Sequence, residues 1–180
     1  MSLKNNIRTI AAVTLASMAL KSATAQNNKN VQAQFKGITI TPAAFALEVS
    51  DGTKFPYVTQ GAALNFGLNR DFAFSPYLSV SGNLTNVWVP TKSTPDFHKR
   101  LTVNTGVGKK LGPVGISADA GVGAMDGDVF YQFNLSCGYK ICDFNKNVSA
   151  SIFAGGYYEK FNNTPFAIGI IAGISLGLTK

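Results

Sequence analysis

Phe166-Ala167-Ile168-Gly169-Ile170-Ile171-Ala172-Gly173-Ile174-Ser175-Leu176-Gly177-Leu178-Thr179 decides how the rest of the chain is read. Its even positions are Phe, Ile, Ile, Ala, Ile, Leu and Leu, and its odd positions are mostly Ala, Gly, Ser and Thr; only Ile171 breaks the alternation. A period of two places successive side chains on opposite faces, so this is a strand with one apolar face. A spanning helix needs roughly 20 apolar residues, more than this glycine-punctuated stretch offers.

Working outward, the same alternation recurs. Val129, Tyr131, Phe133, Leu135, Cys137 and Tyr139 oppose Gln132, Asn134, Ser136 and Gly138; Val114, Ile116, Ala118, Ala120, Val122 and Ala124 oppose Gly115, Ser117, Asp119, Gly121 and Gly123. Leu101, Val103 and Val107 oppose Thr102, Asn104, Gly106 and Gly108, and Ala62, Leu64, Phe66 and Leu68 oppose Gly61, Ala63, Asn65 and Gly67. Val148 to Tyr158 and Leu78 to Trp88 follow more loosely. A strand from Lys36 to Leu47 changes face at Pro42, as a bulge requires. Eight strands result. Ser50 to Thr59, Val89 to Lys99, Met125 to Asp128 and Glu159 to Pro165 read as connections at one end, and Asn69 to Ser75, Lys109 to Pro113 and Lys140 to Asn147 at the other. Short antiparallel links and an even strand number predict an all-β, eight-stranded, antiparallel up-and-down β-barrel.

Composition decides which face points out. Of 180 residues, 18 are Gly, 46% are hydrophobic and only 14% charged, against about a quarter in ordinary soluble domains. The non-apolar face is Gly, Ser, Thr, Asn and Ala with hardly a charge, too small and too neutral for a solvated surface. It suits the crowded inside of a narrow barrel, with the apolar face against lipid. An open sheet edge in hydrocarbon would strand backbone polar groups at several kcal/mol each, so lipid also demands closure. Aromatics collect toward the strand ends, Phe55, Tyr57, Trp88, Phe130, Tyr131, Tyr157, Tyr158 and Phe166 at one and Phe72, Phe74, Tyr77, Tyr139 and Phe144 at the other, as two interfacial girdles would.

The N-terminus fits this destination. Lys4 and Arg8, the apolar Ile10 to Leu20 and the small-x-small Ala23-Thr24-Ala25 form the order of a cleavable signal peptide over 1–25. Its removal takes Lys4, Arg8 and Lys21, three of the seven net positive charges. Residues 26–34 are then a short periplasmic segment and 35–180 the transmembrane barrel.

With Gly67-Leu68-Asn69-Arg70-Asp71-Phe72 and Gly138-Tyr139-Lys140 as its turns, the pattern resembles the small eight-stranded outer-membrane barrels of the OmpA, OmpX and opacity-protein type, over Phe35 to Lys180. The resemblance implies residence in the outer membrane of a Gram-negative bacterium, both termini in the periplasm, and the Ser50, Val89, Met125 and Glu159 connections facing outward. Such barrels commonly end in an aromatic residue; this chain ends Leu178-Thr179-Lys180.

Chemistry is sparsely signalled. His98 is the single histidine, which rules out a multi-histidine metal site, and it is followed by Lys99 and Arg100 rather than by a serine at x+2. No cofactor, metal site or catalytic residue is expected, and no enzymatic activity. Asp119, alone on the inward face, is expected to pair with Lys110 or Lys140 across the lumen, since an isolated buried charge is costly. Lys92, His98, Lys99 and Arg100 form a basic cluster at the outer rim, either solvated or able to touch lipopolysaccharide phosphates. Cys137 and Cys142 should be free thiols, because five residues of extended chain exceed disulfide reach. The expected partners are outer-membrane lipid, lipopolysaccharide and an extracellular protein met by the outer loops, with no nucleic acid. The preferred function is a non-enzymatic barrel with a structural or surface-interaction role. The alternatives are a secreted soluble β-barrel holding a small apolar ligand, which needs the apolar face inward, and a narrow channel or lipid-modifying barrel.

Overall fold

The computed structural model describes residues 32–68, 73–88, 94–162 and 166–179. Eight strands follow in chain order: β1 (Ala33–Ser50), β2 (Thr53–Leu68), β3 (Ser75–Val87), β4 (Asp96–Leu111), β5 (Val114–Met125), β6 (Asp128–Asn145), β7 (Val148–Phe161) and β8 (Phe166–Thr179). Each pairs antiparallel with its neighbours in sequence, and β1 pairs with β8, so the sheet closes into a barrel. The expected signal peptide and most of the 26–34 segment lie outside the described residues. The first strand starts at Ala33, two residues before the expected boundary at 35.

The facing predicted from sequence holds. Ile168 is 54% exposed, Ile170 65%, Phe133 47% and Leu135 54%, all on the outer wall. The buried side is made of Ala44, Ala46, Ala150, Ala167, Thr85, Thr102 and Gln132 with a few aromatics. Inward glycines show why. A Cβ at Gly173 would come within 2.6 Å of the Ala43 carbonyl and the Ala44 Cβ, and one at Gly169 within 2.1 Å of the Tyr157 ring. Nothing larger fits beside those neighbours.

Strand ends depart from expectation where turns are tighter than their composition suggests. Ser50 to Thr59 is no loop: Asp51 and Gly52 (φ 49° and 73°) alone reverse the chain. Asp126 and Gly127 (φ 48° and 98°) do the same after Met125. Positive φ at both central residues is what a two-residue hairpin with native twist requires. Pro56 therefore lies within β2, its carbonyl accepting the Trp88 N–H at 2.9 Å. Lys140 to Asn145 belongs to β6 rather than to a connection; register shifts after Lys140 and Asp143 insert extra residues and hide the alternation there. The predicted irregularity at Pro42 is present as a shift between Thr41 and Ala44 against β2, and between Ile40 and Ala43 against β8.

Candidate functional site: the polar lumen and the outer rim

The lumen is a stack of polar side chains from facing strands. Toward the end that carries the Asp51 and Asp126 turns, Arg100 of β4 reaches across the barrel to Glu159 of β7 and donates to Gln132 Oε1 of β6 at 2.6 Å. Gln132 Nε2 in turn donates to Asn104 Oδ1 at 2.7 Å. The guanidinium lies 4.4 Å from the centre of the Phe130 ring, which is fully buried and packs on Phe161. Glu159 is 2% exposed. Its charge is tolerated only because a guanidinium meets it, since an unpaired carboxylate in that setting would be prohibitive.

Beside this pair, Tyr57 of β2 donates to the Tyr157 hydroxyl at 2.7 Å, and Tyr157 donates to Glu48 Oε2 of β1 at 3.0 Å. Nearer the opposite end, Asp119 of β5 accepts from the Tyr77 hydroxyl at 2.6 Å and from Asn134 Nδ2 at 2.7 Å. Hydroxyl pairs bridge neighbouring strands between and around these groups: Ser81 with Thr102, Thr85 with Thr59, and Ser117 with Ser136. No buried side-chain nitrogen or oxygen among the described residues lacks a hydrogen-bond partner. The interior is thus lined by interlocked, hydrogen-bonded side chains.

Several expected placements change. The Asp119 ion pair with Lys110 or Lys140 is not formed among the described residues. Asp119 is held by two neutral donors, while Lys140 Nζ bridges Asp143 at 2.8 Å at the barrel end and Lys110 is exposed. A tyrosine and an asparagine on flanking strands reach a mid-barrel carboxylate more directly than a lysine anchored near a turn. The rim cluster also divides. Lys92 lies outside the described residues. Arg100 turns inward, because it shares the face of Thr102 and Asn104, and belongs to the lumen. Lys99 faces outward. His98 Nδ1 meets Asp126 Oδ2 at 2.6 Å, and the Lys99 backbone N–H donates to Asp126 Oδ1 at 3.0 Å. The Lys99 amide first, and His98 second, hold the Asp126 carboxyl below its ordinary range. This ties the start of β4 to the neighbouring hairpin tip.

The aromatic girdles are thinner than expected. Tyr57, Phe130 and Tyr157 are buried in the lumen, and Tyr77 points there. Phe55 shares its side with Glu48, its partner in register. Trp88, Tyr131, Tyr158 and Phe166 remain outside at one end, and Phe74, Tyr139 and Phe144 at the other; Phe72 lies outside the described residues. Cys137 and Cys142 are exposed free thiols. Among the described residues no group of three or more His, Cys, Asp and Glu is placed to hold a metal ion.

Sequence reading missed Glu48, Glu159 and the two tyrosines as a single site. Continuing the inward set of β4 back by two residues yields Arg100, and continuing that of β7 forward yields Glu159. Their meeting across the lumen needs closure of the sheet.

No family model matches the chain, and no curated protein does. Among solved structures, the crystal structure of Neisserial surface protein A is similar, with a TM-score of 0.54 at 13% identity over 83% of this chain and 99% of that one. A chain from the de novo design of transmembrane β-barrels matches over 82% of this chain and all of its own, with a TM-score of 0.46 and 15% identity. The first likeness shows the fold, a closed eight-stranded antiparallel barrel of the kind Neisserial surface protein A has.

Proposed function

We propose that the chain is an exported outer-membrane β-barrel, non-enzymatic, whose lumen is sealed and whose role is structural or is exercised through the outer ends of its hairpins. One observation carries the reading: the apolar side chains stand on the outer wall and the hydrogen-bonded polar ones inside. An exposed apolar surface wrapping a whole barrel is far beyond the few hundred Å² that soluble monomers present, whereas hydrocarbon is its natural solvent. The strands, 12 to 18 residues long, exceed the roughly 9–11 that a tilted transmembrane strand needs, so their ends project past the bilayer. The order of charges, apolar stretch and small residues over 1–25 supports export, and the Neisserial surface protein A likeness supports the membrane setting.

The soluble ligand-binding alternative requires apolar residues inside, the reverse of this arrangement. Lipid, lipopolysaccharide and an extracellular protein at the outer turns are the partners this reading supplies. Expressed in a Gram-negative host, the chain should fractionate with the outer membrane. Unheated, it should migrate faster on a denaturing gel than after boiling, as a closed detergent-resistant barrel does. A mature protein that stays dispersed without detergent, or a band indifferent to heating, would overturn the proposal.

A further inference from the structure

Among the described residues the outer wall sinks over β4 to β7, where no charged side chain lines the groove, and over β1 to β4, where a charged side chain does. Across β2, β3 and β4 the register sets Gln60, Leu84 and Lys99 in one row and Ala62, Gly82 and Leu101 in the next, with Ile40 of β1 beside Ala62. Alternation puts these residues outside, since Thr59, Gly61, Thr85 and Thr102 point inward. Ala62 stops at its Cβ and Gly82 has none, so the wall sinks into a groove of about 570 Å³ lined by Ile40, Ala62, Leu84, Gln60 and Lys99. Gly82 opens directly onto it: an added Cβ would meet nothing within 4 Å.

The groove is amphipathic along its length. Its floor and sides are aliphatic, and its edge toward the outer turns carries the Gln60 amide and the Lys99 ammonium, two strand spacings apart, roughly 9–10 Å. Lys99 is exposed, and among the described residues its ammonium makes no hydrogen bond or close ion pair; the Asp126 carboxylate accepts from its backbone N–H and feels its charge from further off. A lysine on a lipid-facing wall must find an anion or reach the headgroup layer. On the membrane reading Lys99 falls at the headgroup layer: it lies beside the Asp126–Gly127 hairpin tip, with Phe97 two residues further out and Trp88 just past the end of β3; both aromatics are exposed on the wall.

We propose that this groove binds one anionic glycerophospholipid, an acyl chain lying over Ala62 and Gly82 and the phosphodiester held by Lys99 and Gln60. Arg100 also lines the groove, but its guanidinium is committed to Glu159 inside the barrel; the one ammonium and one amide left outside match a single phosphodiester of one negative charge, and a lipid with several phosphates would need more cations than this row offers. The inference rests on the membrane reading above and deepens it.

Trp88, the sole tryptophan, directly follows β3, the strand that carries Gly82, and serves as the reporter. The full chain, folded into phosphatidylcholine vesicles, is doped with equal small fractions of brominated phosphatidylglycerol or brominated phosphatidylcholine, and Trp88 quenching is read. Phosphatidylglycerol should quench with an apparent association constant about fivefold higher, the effect of one lysine at an anionic headgroup. Lys99→Ala and Gly82→Leu should each bring that ratio to about one, and Lys99→Arg should preserve it. Heat-shifted migration confirms that each variant is folded. Equal quenching by the two lipids in the unaltered protein, or a preference that survives either Lys99→Ala or Gly82→Leu, overturns the site while leaving the membrane reading intact. Quenching by neither lipid overturns both.

Discussion

Arg100 illustrates how one side chain changes meaning once its face is known. As part of a run with His98 and Lys99 it reads as surface charge, yet its side chain is only 13% exposed and engages the buried carboxylate of Glu159. Removing one partner of such a pair leaves the other desolvated and unmatched, which costs about 3–5 kcal/mol, whereas replacing both with apolar groups of similar volume is close to neutral. Arg100→Ala should therefore lower the stability of the detergent-folded barrel by about that amount in a urea titration. The double change Arg100→Met with Glu159→Leu should recover most of the loss. A double variant as unstable as the single one would show that the pair's other contacts, to Gln132 and Phe130, dominate instead. Asp119 makes a related point. The sequence marked it correctly as a charge on the inner face, but its partners, Tyr77 and Asn134, are neutral residues that no charge count could single out.

At the level of strands, the glycines divide by face. Gly173 points inward at mid-barrel, where an added Cβ would press on β1 backbone, while Gly156 points outward, with only the Gly169 carbonyl at 3.7 Å. Overpacking in a site that cannot shift costs about 1–3 kcal/mol. Gly173→Val should destabilise the barrel by that amount or prevent closure, read as loss of the fast-migrating unheated band, and Gly156→Ala should leave the band unchanged. Equal tolerance of both would contradict the crowding of the axis. Alternation was legible in the sequence because a strand buried on one side leaves a period-two record. It failed where that record is interrupted: the bulges after Lys140 and Asp143 made the end of β6 look like a connection, and the Asp-Gly hairpins after Ser50 and Met125 proved shorter than their polar surroundings implied.

For the whole molecule, closure creates the interior. Eight strands enclose a space just wide enough for side chains to fill, and here Arg100, Glu159, Gln132, Tyr57, Tyr157 and Glu48 fill one part of it while Asp119, Tyr77 and Asn134 fill another. Purified barrel in planar bilayers should accordingly show no steady ion conductance under conditions where a wide porin conducts freely; a stable open level would show that these side chains move aside. The outer wall and the lumen were distinguishable from sequence alone, because hydrophobic and small polar residues alternate and charges are scarce, and those two facts depend only on local chain geometry and composition. The strand count and meander order followed from the same record. Which inward residues touch was settled only by the closed sheet. Arg100 and Glu159 lie 59 positions apart on strands that are not neighbours, and Tyr57 and Tyr157 lie 100 apart. Contacts across a lumen depend on strand tilt and register accumulated around the whole circumference, which no single segment encodes.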